Sequence, residues 1–85
     1  AYIYKSLQKC RQMIDQGIKD VQQITAEMQK VLSQVPSAKI EYVNIVDAES
    51  LEKADRIAGK ILAAVAVKIG LTRLIDNILV DTSKK

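Results

Sequence analysis

Histidine, tryptophan and phenylalanine are absent from this 85-residue chain, which carries one cysteine, one proline and three glycines. Each shortage closes off chemistry. Without histidine there is no imidazole acid–base catalyst, no His-containing triad and no His-ligated metal. One thiol, Cys10, makes neither an internal disulfide nor a zinc–thiolate site. The glycines stand isolated at 17, 59 and 70, so no glycine-rich loop of the phosphate-cradling or dinucleotide type exists. Three Tyr are the only aromatics, so the core has to be aliphatic. No catalytic machinery is recognisable.

No apolar run approaches the roughly 20 residues of a membrane span, and no segment reads as a signal peptide. The expected setting is therefore reducing and cytoplasmic, with no membrane partner. The net charge of +3 is scattered: bases lead acids in residues 1–19 and 61–85, while the middle is slightly acidic. Nucleic-acid binding wants a dense basic stripe or a known motif, and neither is present. Lys84 and Lys85 read as a frayed tail, and residues 81–85 as a linker or a cut end. The length suits one domain, residues 1–85, which buries only about 60–65% of its unfolded surface.

Residues 2–17 have the period of a helix. Ile3, Leu7, Cys10 and Ile14 share one face, Met13 widens the stripe, and Gly17 is the expected stop. A buried thiol suits Cys10 better than a reactive one. Asp20 is the expected N-cap of a second helix, with Gln23 completing a capping box. Its apolar face is Val21, Ile24, Met28, Val31 and Val35, with Leu32 beside them, and Pro36 is the expected end.

Three strands are expected at 39–47, 61–69 and 73–80. Residues 48–60 read as a charged surface loop, with one helical turn started by Ser50. The order predicts an α+β domain: two antiparallel helices packed on one face of a three-stranded antiparallel sheet. Both faces of that sheet are apolar. Leu62, Ala64 and Ala66 alternate with Ala63, Val65, Val67 and Ile69, and Ile75 and Leu79 oppose Leu74, Ile78 and Val80. Two short helices cover one face only, so the loop, another subunit or a neighbouring domain should cover the other.

The polar residues of the last hairpin are the candidates for function: Lys68, Arg73, Asp76 and Asn77. A two-residue Gly70-Leu71 turn of type II′ sets Lys68 opposite Arg73, a repulsive pair unless an anion or carboxylate lies nearby. Splaying into water, or a longer loop, would also relieve it. Asp76 and Asn77 point to opposite faces, so one of them nears packed aliphatics and needs a partner on a loop or helix end, or lines an interface. Tyr2, Tyr4 and Tyr42 read as packing residues.

The segments Tyr42-Val43-Asn44-Ile45-Val46-Asp47 and Ile69-Gly70-Leu71-Thr72-Arg73-Leu74-Ile75-Asp76-Asn77 resemble the C-terminal domain of the pantothenate synthetase (pantoate–β-alanine ligase) family. The helical half is a looser match. Lys68 stands where the family commonly has Arg, Asn44 where an acid is common, and Lys53 where Pro is expected.

The resemblance implies a parent ligase that joins pantoate to β-alanine with ATP and Mg²⁺ through a pantoyl-adenylate, releasing AMP and pyrophosphate. It further implies a homodimeric parent whose Rossmann-like N-terminal catalytic domain is absent here. This C-terminal lid is then inactive alone, binds no cofactor and supplies no catalytic residue. The alternative is a stand-alone, non-enzymatic interaction module that dimerises through the second sheet face or a strand edge. A third idea is anion binding at the Lys68/Arg73 tip.

Overall fold

Glycine and apolar periodicity set the first helix. In the computed structural model, which describes residues 2–83, α1 spans Tyr2–Asp15 and buries Ser6, Leu7, Cys10 and Met13. It ends in a Schellman motif. Gly17, at φ +90, donates its N–H to the Ile14 carbonyl at 2.9 Å, and Ile18 donates to Met13 at 3.1 Å. Ile18 also packs on the core, which aims the chain back along α1.

The second helix, α2 (Val21–Leu32), starts at Asp20, whose Oδ1 accepts the Gln22 N–H at 3.1 Å. The reciprocal bond of a capping box, from Gln23, is not made. Instead the backbone here is tied to the later loop: Val21 donates to the Asp55 carbonyl and Ile57 to that of Lys19. The helix also ends before the expected limit at Val35. Successive turn bonds, Gln34 to Val31 and Val35 to Leu32, take over ahead of Pro36. Ser6 is the one buried polar side chain among the described residues, and its Oγ donates to the Met28 carbonyl at 3.3 Å, fastening α1 to α2.

The strands are β1 (Ala38–Asp47), β2 (Lys60–Ile69) and β3 (Thr72–Asp81), antiparallel in the order β1-β2-β3. This is the expected α+β architecture. Gly70 has φ +61 and Leu71 is not left-handed, as a two-residue II′ turn requires, so the longer-loop alternative is ruled out. The helices cover the face carrying Ile61, Ala63, Val65 and Val67, with Ile45 and Val80 from the flanking strands. Leu7, Ile24, Met28, Leu32 and Val65 lose nearly all their solvent contact there. Each such burial is worth about 1.5–3 kcal/mol against exposure.

The connection between β1 and β2 departs from expectation twice. It contains no helical turn begun by Ser50. The Asp47 carboxylate organises a tight turn by accepting the N–H groups of Ser50 and Glu49, both at 2.9 Å, and these bonds hold its pKa below the ordinary 3.8. Nor is the connection a mere surface loop. Ala54 donates to the Ile45 carbonyl along the outer edge of β1, and Ile57 is buried in the core beneath the helices. The loop therefore closes the helix side, and the opposite sheet face stays open.

Candidate functional site

The open face is ordered in rows across the three strands. From the hairpin tip inward, the cross-strand neighbours are Lys39, Lys68 and Arg73; then Tyr42, Ala66 and Ile75; then Asn44, Ala64 and Asn77; then Val46, Leu62 and Leu79. Cationic, apolar, amide and apolar rows alternate. A β-bulge between Ile40 and Tyr42 makes this possible. An extra residue switches which side chains face outward, so Lys39 lies outside before the bulge and Tyr42, Asn44 and Val46 lie outside after it.

Among the described residues no element covers this face. Ile75 and Leu79 are each 56% exposed and Tyr42 is 38% exposed, whereas Ala66 is sealed beneath its larger neighbours. An exposed aliphatic sheet face of this kind marks an interaction surface.

Lys68 and Arg73 are indeed opposite one another. The carboxylate that this arrangement calls for comes from Glu41, at the bulge. Its two oxygens take Arg73 Nε at 2.7 Å and Nη2 at 3.1 Å. The hydrogen bonds and charge of Glu41 push the Arg73 pKa up, further favouring a guanidinium that is ionised in any case. Arg73 is thus held by Glu41 although its side chain stays solvent-exposed, as Lys39 and Lys68 also are.

The four hairpin candidates do not converge. Lys68, Arg73 and Asn77 share the open face, while Asp76 aligns with Val65 and lies on the helix side. Neither Asp76 nor Asn77 is buried, because α1 leaves this part of the edge strand uncovered. Among the described residues, neither is tied to a loop or helix end. Asp76 Oδ1 accepts the adjacent Asn77 N–H at 2.8 Å. Asp76 also borders an apolar cleft of about 510 Å³ between the two helices and the hairpin, walled by Ile3, Leu32, Val67 and Leu74.

Sequence reasoning missed Lys39, Glu41 and Asn44 as members of the face. The asparagines at 44 and 77 were a visible signal, but their alignment depends on the bulge. The three tyrosines are not core residues. Tyr4 is 60% exposed, and Tyr2 lies under the Lys5 ammonium, 5.4 Å from its ring centre.

Cys10 is fully buried, and burial pushes its thiol up to about 11, so it is not a nucleophile at neutral pH. No group of three or more His, Cys, Asp or Glu capable of holding a metal occurs among the described residues. Among the same residues, no helix is long and apolar enough to cross a membrane.

Pantothenate synthetase of Thermosipho melanesiensis is 47% identical over 78 residues, which are 92% of this chain and 28% of that protein. The enzyme of Thermotoga petrophila is 43% identical over 75 residues, 88% of this chain and 27% of that protein. The crystal structure of pantothenate synthetase from Thermus thermophilus matches with a TM-score of 0.83 at 27% identity, covering 91% of this chain and 28% of that one. The chain thus spans little more than a quarter of the relatives it matches. The family model for pantoate–β-alanine ligase matches residues 1–79, and on that match and these identities the chain belongs to the pantoate–β-alanine ligase family.

Proposed function

We propose that residues 1–85 are the C-terminal lid domain of a pantothenate synthetase. The parent enzyme would condense pantoate with β-alanine using ATP through a pantoyl-adenylate, giving pantothenate, AMP and pyrophosphate. The observation that carries this reading is the uncovered, row-ordered sheet face, in a chain little more than a quarter as long as its relatives. Its natural occupant is the remainder of such an enzyme, an N-terminal catalytic domain. A cytoplasmic location and a homodimeric parent belong to the same reading.

The described residues do not fit a Mg²⁺ site: no three candidate ligands come together, and Glu41 is committed to Arg73. On this reading metal and reacting groups come from the partner domain, and the chain alone is expected to show no turnover. A lid of this kind acts by position. Closing an apolar face over an acyl-adenylate keeps water from hydrolysing it and strengthens the electrostatic interactions inside the closed site.

The test is complementation. The purified chain is added to a matching N-terminal domain with ATP, Mg²⁺, pantoate and β-alanine, and AMP release is followed. Stimulation is expected, and Ile75→Lys or Leu79→Lys should abolish it while the helix-side core stays folded. Turnover by the chain alone, or stimulation that survives both substitutions, would overturn the proposal.

A further inference from the structure

Lys39, Lys68 and Arg73 stand side by side across the three strands at the hairpin end of the open face. Directly opposed side chains on one face of a sheet lie about 4.5–5.5 Å apart at Cβ, where like charges are destabilising. One of the three cations is compensated, Arg73 by Glu41. Among the described residues neither Lys39 nor Lys68 has a carboxylate within ion-pair distance. The row therefore keeps an excess of two positive charges.

Two features turn this excess into a shaped arrangement. The bulge places Lys39 on the open face together with the residues beyond it, so cations from both edge strands flank Lys68. Glu41 grips Arg73 along its Nε–Nη2 side, which leaves the Nη1 side of the guanidinium without a protein partner among the described residues. Two exposed ammonium groups beside a guanidinium held by Glu41 suit an anion with several terminal oxygens on neighbouring centres. The next row, Tyr42, Ala66 and Ile75, offers an apolar shelf beside the charges.

We infer that the Lys39–Lys68–Arg73 row binds an oligophosphate anion, with the lysines taking successive phosphoryl groups and Arg73 holding one end. This deepens the proposed function and rests on it in one respect: the phosphate chain of the nucleotide is what the closing lid would meet. The binding itself needs no catalytic domain, so its failure and the failure of the lid reading are separable.

The test is a titration of the ¹⁵N-labelled chain with inorganic pyrophosphate at constant ionic strength. Saturable amide shifts confined to the neighbourhoods of Lys39, Lys68 and Arg73 are expected. Lys39→Gln and Lys68→Gln, both at exposed positions, should each weaken binding by about tenfold, the loss of one charge-assisted contact. Glu41→Gln, which removes the competing carboxylate, should tighten it. Shifts spread evenly over the other surface lysines, or a Lys39→Gln/Lys68→Gln double variant that binds as well as the parent, would overturn the inference. Equal competition by an acidic peptide would overturn it too, assigning the row to an acidic protein surface.

Discussion

Glu41 on β1 reaches across the central strand to hold Arg73 on β3, at 2.7 Å to Nε and 3.1 Å to Nη2. The pair spans the full width of the sheet and relieves the Lys68–Arg73 repulsion built into the hairpin register. Because Arg73 is exposed, solvent screens the pair. We expect Glu41→Gln to lower the thermal midpoint by a few degrees at low salt, with the difference vanishing at about 1 M salt. Arg73→Lys should behave in the same way, since an ammonium cannot make the two-point contact. Equal losses at low and high salt would show that the pair acts through packing instead.

The two faces of the sheet should answer truncation differently. Met28 of α2 is fully buried in the core between the helices and the sheet, and Met28→Ala should cost about 2–5 kcal/mol in urea unfolding. Ile75→Ala and Leu79→Ala remove side chains that already face water, and each should stay within about 0.5 kcal/mol of the parent. A loss at Ile75 or Leu79 comparable to that at Met28 would mean that the isolated chain covers this face by self-association.

Cys10 gives a pH dependence at the alkaline end. Burial raises the folded thiol from 9.0 to about 11, with a small opposing effect of Arg11. The unfolded chain therefore releases this proton first. The contribution of Cys10 is constant below pH 9 and is lost as the pH rises from 9 towards 11, by about 2–3 kcal/mol over that interval. Cys10→Ala should flatten that segment of the stability curve. At neutral pH the thiol should react with a disulfide reagent only as fast as the chain unfolds.

Leu51 occupies left-handed backbone at φ +62, and the residue is 64% exposed. The turn made by Asp47 imposes this conformation, with Leu51 donating its N–H to the Asp47 carbonyl at 2.8 Å. Left-handed geometry costs a side-chain-bearing residue roughly 1–2 kcal/mol, part of which glycine recovers. Leu51→Gly should raise stability by about 0.5–1 kcal/mol in the same urea assay. A decrease would indicate that the exposed leucine packs against something in solution.

Most of the fold could be read from periodicity. The stop at Gly17, the Asp20 cap and the turn at Gly70 are local features that occur where the pattern placed them, and of the α1 stripe Leu7, Cys10 and Met13 are buried while Ile3 and Ile14 are partly buried against the core. The 48–59 connection could not be read this way. Ile57 lies in a charged stretch that forms neither helix nor strand, and its docking beside the start of α2 buries it. Burial of Ser6 was equally hidden, because it depends on how closely α1 approaches the Met28 carbonyl.

The candidate site divides in the same way. By itself the sequence determined that both sheet faces are apolar and that Lys68 and Arg73 flank a glycine turn, because these follow from composition and a side-chain period of two. That the turn has two residues and sets the two cations opposite one another was decided by the strand register. Which residues join them was a tertiary decision. One bulge between Ile40 and Tyr42 inverts the alternation of β1, and so brings Lys39, Glu41 and Asn44 to the face of Lys68, Arg73 and Asn77. A bulge is set by pairing with a distant strand, and no local pattern of apolar and polar residues records it.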